Sequence, residues 1–436
     1  MTKELVDAIW IANLDKYNQI IVGFSGGLDS TVLLHALAAT CLKKKILAVH
    51  INHGISPNAH LWQQHCEQFC IEEGVRFLAQ EVQFNRSSNI EEGARLARYA
   101  VFSSLLNTTD CVVLAHHRDD QAETVLLQLF RGAGIDGLAA MAERSTLEPG
   151  ALLRPFLIHS RKVLEQYARK NQLKWVEDES NNQLDYSRNY LRHQIIPLIL
   201  NQWPGGISSI ARAADHCQQA RRNLDSLAQQ DLKELTTAEN NLNLLPLISL
   251  NEERIINILR FWLRARKIKL PSTKTLQRII YEMIHASQDA QPLVSWSNIR
   301  IRRHKNHLYI EEMLHKDPLE SINWNSFPAP LKLDNLMTLS ATMGEEGLNI
   351  PPGAIIEVRF RVGGERITLH GQNKKLKKLF QEWDIPTWLR DRVPLIYLDN
   401  QLAAVVGFAL NDCFYTKDSS RAWIISVLNP EYKCLF

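Results

Sequence analysis

Across the first two hundred residues, short continuous apolar runs alternate with longer stretches whose apolar positions recur at helical spacing. Gln19-Ile20-Ile21-Val22-Gly23, Ile46-Leu47-Ala48-Val49-His50-Ile51, residues 75–82 and Cys111-Val112-Val113-Leu114-Ala115 predict short buried strands. Between them, Val32, Leu33, Leu34, Leu37 and Ala38 make one helix face. Residues 58–73 predict a second helix that stops before Gly74, and Ser88 with Glu91 forms a capping box opening a third, through Leu105. Continuous apolar strands separated by helices predict a doubly wound parallel α/β sheet. Ligands of such sheets sit at the carboxyl ends of the strands.

The pattern changes at Gln202-Trp203-Pro204-Gly205-Gly206, where Pro and Gly interrupt it. Helical periodicity then fills residues 210–235, 252–266 and 272–286, followed by a hairpin at 298–311. From Pro351 onward, 355–360, 366–369, 395–398 and 402–407 predict strands, and 374–383 a helix with Leu376, Leu379 and Phe380 on its apolar face. Three domains are therefore expected: an α/β domain over 1–204, a mostly helical middle domain over 205–345, and a small α+β domain over 346–436.

The first strand–helix junction, Phe24-Ser25-Gly26-Gly27-Leu28-Asp29-Ser30-Thr31, has the chemistry of a phosphate cradle. Adjacent glycines let the backbone turn tightly and approach a ligand, while hydroxyls and unpaired N–H groups at a helix start attract negative charge. A Gly- and Ser-rich turn alone is often only a turn. The Walker pattern needs a Lys after its last Gly and the dinucleotide fingerprint a third Gly, so this loop is neither. A carboxylate at Asp29 inside an anion site makes sense where a metal bridges it to phosphate.

The second informative stretch is His116-His117-Arg118-Asp119-Asp120-Gln121-Ala122-Glu123-Thr124 after the fourth strand. On a helix beginning near Asp119, Asp120 and Glu123 share a face close to a strand end. Acids there also simply suit a helix N-terminus. His50, His53, His116 and His117, taken singly, read best as structural histidines. Arg95 and Arg98 are predicted on one face of the preceding helix, contacting phosphate or pairing with acids.

Composition adds mainly exclusions. The 436 residues are 45% hydrophobic and 22% charged, with a formal net charge of +3, too small to identify a nucleic-acid partner by itself. No uncharged apolar stretch approaches the ~18 residues of a membrane span, and the acidic, amphipathic start lacks a secretory pattern; a cytoplasmic location without membrane association is expected. Seven cysteines spread over the chain argue against a disulfide framework. Cys66 and Cys70 with His65 read as buried thiols, since no second Cys/His pair completes a metal site. Basic residues gather at Arg264, Arg266, Lys267 and Lys269, at Arg300, Arg302, Arg303 and Lys305, and at Lys374, Lys375, Lys377 and Lys378. Such runs are solvated faces or phosphate contacts.

Ser-Gly-Gly-Leu-Asp-Ser at the first strand–helix junction resembles the loop of the N-type ATP pyrophosphatases. With Ala97-Arg98-Tyr99, His-His-Arg-Asp-Asp-Gln-Ala-Glu-Thr, Arg131-Gly132-Ala133-Gly134-Ile135-Asp136-Gly137-Leu138, Leu153-Arg154-Pro155, Trp175-Val176-Glu177-Asp178-Glu179-Ser180-Asn181 and Arg188-Asn189-Tyr190-Leu191-Arg192, the order over about 190 residues resembles the tRNA(Ile)-lysidine synthetase family. The segment 358–380 resembles that family's C-terminal domain. The resemblance implies ATP-dependent attachment of L-lysine to the wobble cytidine of a tRNA(Ile) with a CAU anticodon, with ATP and Mg²⁺ required. It implies that Ser25, Gly26, Gly27, Leu28 and Ser30 cradle ATP, that Asp29 holds Mg²⁺, and that Asp120 and Glu123 grip or deprotonate lysine. Arg95, Arg98, His117, Arg188, Asn189 and Arg192 are the candidates for positioning lysine, adenylate or RNA, and Arg264, Arg266, Arg302 and the four lysines for binding tRNA. A homodimer is compatible with it. The rival readings are a tRNA thiolase with the same loop and a non-catalytic RNA-binding protein.

Overall fold

The apolar run after Gln19 becomes β1 (Ile20–Gly23), with Ile20, Ile21 and Val22 fully buried. β2 (Ile46–Asn52), β3 (Arg76–Glu81) and β4 (Cys111–Val113) follow where the pattern predicts them, and all pair in parallel. A hairpin the pattern does not reveal, β5 (Arg144–Leu147) and β6 (Gly150–Leu153), completes a six-stranded sheet of order β3-β2-β1-β4-β6-β5, antiparallel only at its last edge. The computed structural model describes the chain apart from residues 1–4, 55, 57, 84–89, 178, 180–182, 236–240, 288–289, 291, 313–319, 334–336 and 429–436. It divides into two compact units, residues 1–224 and 225–436.

In the first unit, helices α1 (Ala8–Leu14), α2 (Leu28–Ala38) and α3 (Ala59–Glu73) pack on one face of the sheet and α4 (Ile90–Leu105) on the other, while α5 (Arg118–Phe130) packs against helices further along the chain. Alternate residues of a strand point to opposite faces. Ile20 and Val22 accordingly share a core with Leu33, Leu37 and Phe69, while Ile21 joins Val49, Phe102, Leu106 and Val112 on the other side. This is the doubly wound arrangement, and strand order reverses at β1, between β2 and β4, the crevice where such sheets bind ligands. Gly74 ends α3 in the left-handed region (φ 60°), its N–H bonded to the Cys70 and Ile71 carbonyls. The capping box expected at Ser88 lies outside the described residues.

The chain continues through α6 (Ile135–Leu138), α7 (Arg161–Lys170) and α8 (Ser187–Tyr190), then a π-helical turn over Leu191–Ile195 into α9 (Ile196–Gln202). Pro197 explains the widened turn, because it has no N–H to give to the carbonyl four residues back. Trp203 and Pro204 separate α9 from the long α10 (Gly206–Leu235).

In the second unit, the helix Glu252–Ala265 buries Ile255, Ile258, Leu259, Trp262 and Leu263. With the helical stretch 273–284 it packs in one core with a four-stranded antiparallel sheet, whose centre is the predicted hairpin, now Ile299–His304 and His307–Glu312. The strand Thr338–Asn349, paired with Ala422–Val427, runs through position 345, where the sequence pattern puts a domain boundary. The helix expected over 374–383 is shorter, Leu376–Glu382. Lys374 and Lys375 instead end a strand, Gln372–Lys375, that pairs with Arg366–Leu369. The turn at His370 and Gly371, both with positive φ, starts this hairpin and so captures residues whose own propensity is helical.

Gly150 tests the unforeseen β6. A Cβ there would lie 2.5 Å from the Asp110 carbonyl oxygen, a backbone atom that cannot swing away. Gly150→Ala should therefore lower stability by about 1–3 kcal/mol in urea denaturation.

Candidate active site

The loop from Ser25 to Gly27 leaves β1 and enters α2 with Gly27 as N-cap, in extended conformation and with no side chain to satisfy the first turn. The leading N–H groups of a helix have no acceptor one turn back, so this N-terminus is left open to an anion. Only Gly26 needs to be glycine for conformational reasons: its φ is +82°, and a Cβ would fall 2.8 Å from Cys66 Sγ. At Gly27 a Cβ would meet ordinary contacts of 3.6 Å or more; what its lack of a side chain secures is access to the backbone. Hydroxyls brace the turn. Ser25 N–H donates to Ser30 Oγ (3.3 Å), Ser30 Oγ to the Gly27 carbonyl (3.0 Å) and Thr31 Oγ1 to the Gly26 carbonyl (3.3 Å). Val176 N–H also donates to the Gly26 carbonyl, at 2.9 Å.

Asp29, in the first turn of α2, has Oδ1 buried without a hydrogen-bond partner. Its Oδ2 lies 3.6 Å from Nε2 of His117. His117 caps α5: its Nδ1 accepts from the Asp120 N–H (3.3 Å), while its own N–H donates to Asp120 Oδ2 (3.0 Å). With Nδ1 accepting, the ring proton of the neutral form sits on Nε2, toward Asp29. Desolvation would lower the pKa of His117, but the carboxylates of Asp120 and Asp29 outweigh it and raise it above the ordinary histidine value. Burial acts on Asp120 in the opposite sense and is likewise outweighed, by His117, His116 and Arg188, so this carboxyl titrates below its usual range.

Glu123, one turn along α5, is only 1% exposed. Both of its oxygens are taken by Arg192, Nε at 2.7 Å and Nη2 at 2.9 Å, a bidentate fork. Arg188 Nε stands 3.3 Å from Glu123 Oε2, and its Nη2 donates to Thr124 Oγ1 at 3.0 Å. Arg192 Nη2 also reaches Asp120 Oδ1 at 3.5 Å. Pairing with Glu123 and Asp120 overcomes burial and raises the Arg192 pKa. The structure thus gathers Asp29, His117, Asp120, Glu123, Arg188 and Arg192 into one chain of charges along the strand ends.

Other candidates lie differently. Arg98 approaches the strand-end histidines: together with desolvation, which is the larger cause, its charge lowers His53 to about 4 and His116 to about 3, keeping both neutral. Arg95 is exposed, 3.6 Å from Glu92 and stacked over Tyr99. Asn189 is buried and donates to the Gln183 carbonyl, bracing the loop into α8. His50 bonds to the Phe24 carbonyl at 3.0 Å and is a structural histidine. Cys66 and Cys70 are buried thiols pushed up to about 12 by desolvation, and among the described residues no group of three or more His, Cys, Asp or Glu is arranged for a metal. Sequence reasoning gave no role to Thr31, Thr124 or Arg154, whose Nε donates to His116 Nδ1 at 3.3 Å. They stand inside or next to the quoted motifs, which was the signal for them.

In the second unit, Arg264 pairs with Asp225, and Arg302 pairs with Glu311 (2.9 Å) and stacks over Trp388. Arg266 lies over the Trp262 ring, and burial lowers its pKa to about 10. These three arginines are engaged within the fold. Lys375, Lys377 and Lys378 are exposed and Lys374 half-buried.

Three family models match the chain: a PP-loop domain over residues 2–199, a TilS substrate binding domain over 242–309 and a TilS substrate C-terminal domain over 356–427. The chain is 56% identical to a tRNA(Ile)-lysidine synthase of Legionella pneumophila (strain Paris), covering 98% of this chain and 99% of that protein. To the tRNA(Ile)-lysidine synthase of Coxiella burnetii it is 40% identical over 97% and 96%. A crystal structure of a TILS C-terminal domain is 26% identical, covering 23% of this chain and 92% of that one with a TM-score of 0.21. At such identity over almost its full length, the chain belongs to the tRNA(Ile)-lysidine synthase family.

Proposed function

We propose that this protein joins L-lysine to carbon 2 of the wobble cytidine in the CAU anticodon of tRNA(Ile), converting ATP to AMP and diphosphate. The observation that carries this reading is the identity with lysidine synthases along nearly the whole chain. A pyrimidine carbonyl oxygen is a poor leaving group, so AMP is first attached to it and diphosphate departs; the ε-amine of lysine then attacks the same carbon and AMP leaves. The product decodes isoleucine in place of methionine. We place the reaction in the cytoplasm, with the tRNA it modifies; no helix among the described residues is long and apolar enough to cross a membrane.

In this reading the backbone N–H groups and hydroxyls of Ser25, Gly26, Gly27, Leu28 and Ser30 hold the phosphates, the Ser25 and Gly27 N–H groups giving up their long bonds to Ser30 Oγ and Ser25 Oγ. Asp29 suits Mg²⁺, because a buried carboxylate oxygen without a partner needs a cation and Mg²⁺ is typically held by one or two carboxylates plus substrate phosphates. Once bound, the ion would offset the charge of the phosphates. Asp120 and Glu123 divide their work. Glu123 is saturated by Arg192 and serves to position that guanidinium and Arg188. Asp120, with its depressed pKa, is better suited to hold the lysine ammonium than to take its proton, since a general base works best with a pKa near the operating pH. Arg98, Arg188, Arg192 and His117 surround the same strand ends and orient adenylate and RNA.

Residues 1–204 form the catalytic domain in this scheme, with 205–345 and 346–436 binding tRNA and the strand Thr338–Asn349 tying those two together. Lys374, Lys375, Lys377 and Lys378 supply the phosphate contacts there. The thiolase alternative is disfavoured because sulfur transfer uses accessible thiolates, whereas Cys66, Cys70 and Cys111 are buried and undissociated and the exposed Cys41 lies past the far end of α2, away from the phosphate loop.

Purified protein with ATP, labelled lysine and this tRNA should incorporate lysine and release diphosphate; no incorporation with any amino acid offered in turn would sink the assignment, and a sizing column on the same preparation distinguishes monomer from homodimer. Asp29→Ala should abolish turnover while tRNA affinity stays. Replacing the four lysines by alanine should do the reverse, weakening tRNA binding and reducing the slope of log affinity against log salt by about 0.7–0.9 per lost contact. An unchanged slope would show that the lysines are only solvated. Arg192→Met, which removes both bonds of the fork and leaves the buried Glu123 with only Arg188 at 3.3 Å, should cost up to about 3–5 kcal/mol in urea denaturation, and adding Glu123→Gln should restore most of it. Because the Asp120 pKa is lowered on folding, its contribution to stability is complete above its usual value near 3.8 and is lost as pH falls through the native value. Asp120→Asn should therefore make the acid limb of a stability–pH profile shallower.

A further inference from the structure

A concavity of about 540 Å³ opens in the first unit near the C-terminal end of α5, against the segment that enters α8. Phe130 and Arg131 line it from α5, and Leu184, Asp185, Ser187 and Tyr190 from the other side. Three of its large apolar groups are left in solvent, Phe130 at 68% exposed, Tyr190 at 49% and Leu184 at 45%, while Leu191, which also lines it, is buried. Grouped exposed apolar residues with a polar rim mark a site of interaction. None of the reaction steps above uses them.

We propose that this hollow takes a nucleobase of the RNA that neighbours the reacting cytidine in the anticodon loop, stacked against Phe130 and Tyr190. The inference rests on the functional reading above. Continuity with the active site selects the occupant. The helix that ends in Phe130 carries Asp120 and Glu123, and seven residues of α-helix span only about 10 Å. Tyr190 shares α8 with Arg188, whose guanidinium reaches Glu123 and Thr124. A base flanking the reacting one is thus within reach of the hollow, whereas lysine and ATP have their own groups at the strand ends.

The lining has the matching chemistry. Proteins read single-stranded loops by stacking splayed bases on aromatic rings or guanidinium planes and by hydrogen bonding to base edges. Phe130 and Tyr190 supply rings and Arg131, which is exposed, a guanidinium. Asp185 accepts from a base amino group, and the Ser187 hydroxyl donates or accepts. The site also meets a need, because a pocket for one cytidine does not report which nucleotides flank it. A second copy of this chain is the weaker occupant: a stable protein interface buries on the order of 1,000 Å² or more, and this is a small hollow with charged groups at its rim.

The test uses the full chain with the intact tRNA and with anticodon stem-loops that are abasic, one at a time, at the nucleotides flanking the wobble cytidine. Phe130 is exposed, so Phe130→Ala should leave the unfolding midpoint and ATP affinity unchanged while raising KM for tRNA on the order of tenfold, the usual effect of losing one stacked base. Phe130→Trp should retain the low KM. One of the abasic stem-loops should bind the parent more weakly by a similar factor, and Phe130→Ala should add no further loss on that probe. Additive losses on every probe, an unchanged KM, or a change in sedimentation in place of a change in KM would each overturn the proposal, the last in favour of self-association. A parent protein that forms no lysidine would overturn the functional reading and this inference with it; a parent that does, alongside an equally active Phe130→Ala, would overturn the stacking site alone.

Discussion

A glutamate carboxyl that is 1% exposed stays charged only if a cation goes down with it, and the architecture of the catalytic unit follows from how Glu123 meets that condition. Its partner, Arg192, comes from 69 residues further along the chain, in the π-helical turn between α8 and α9. Arg188 and Arg192 stand four residues apart along this helical stretch and so share a face, from which both guanidinium groups converge on α5. The pair therefore ties this later segment of the first unit to the strand-end site, and ties stability to the charges gathered there. Desolvation raises the Glu123 pKa against the pull of Arg192, so the fold depends on that pull being kept.

From Glu123 the charges run outward with decreasing saturation. Glu123 has both oxygens bonded; Asp120 shares one with the His117 N–H and one, more distantly, with Arg192; Asp29 faces His117 through one oxygen and leaves the other bare. A gradient of this kind separates support from chemistry. Groups whose bonds are all made hold the geometry, and groups with unmet capacity are the ones able to engage a ligand. His117 joins the two regimes: its backbone and Nδ1 close the capping box of α5 while Nε2 looks toward Asp29. Moving α5 would therefore change the surroundings of the phosphate loop.

Much of this was legible because the signals were local. Four strands, the helices between them, the Gly26 turn and the acids at the start of α5 are each set by residues close in sequence. What escaped has a non-local cause. β5 and β6 are only four residues each, β5 mostly polar and β6 opening on a glycine, and they exist as strands because Val112 and its neighbours offer an edge to β6. The Arg192–Glu123 fork and the Val176 N–H on Gly26 join segments far apart in the chain, and spacing alone carries no trace of them. Lys374 and Lys375 were read as helical because their propensity is helical, and the positive-φ turn at His370 and Gly371 overrode it.

The basic runs of the second unit show why residue type matters as much as charge. Arginine and lysine were counted together in the sequence, yet the fold treats them differently. Arg264, Arg266 and Arg302 are drawn inward, where a planar guanidinium can pair with an acid, as Arg264 does, lie on an indole face, as Arg266 does, or do both, as Arg302 does. Lysine lacks that planar fork, and its compact, strongly hydrated ammonium resists burial. Lys375, Lys377 and Lys378 accordingly remain at the surface, with Leu376, Leu379 and Phe380 buried beneath them. A cation already paired must break that pair before it can neutralise an RNA phosphate, whereas a solvated one need only release water and counterions. The hairpin and short helix around Lys375 are therefore better suited to phosphate than the arginine runs, although the arginines are the more conspicuous in the sequence.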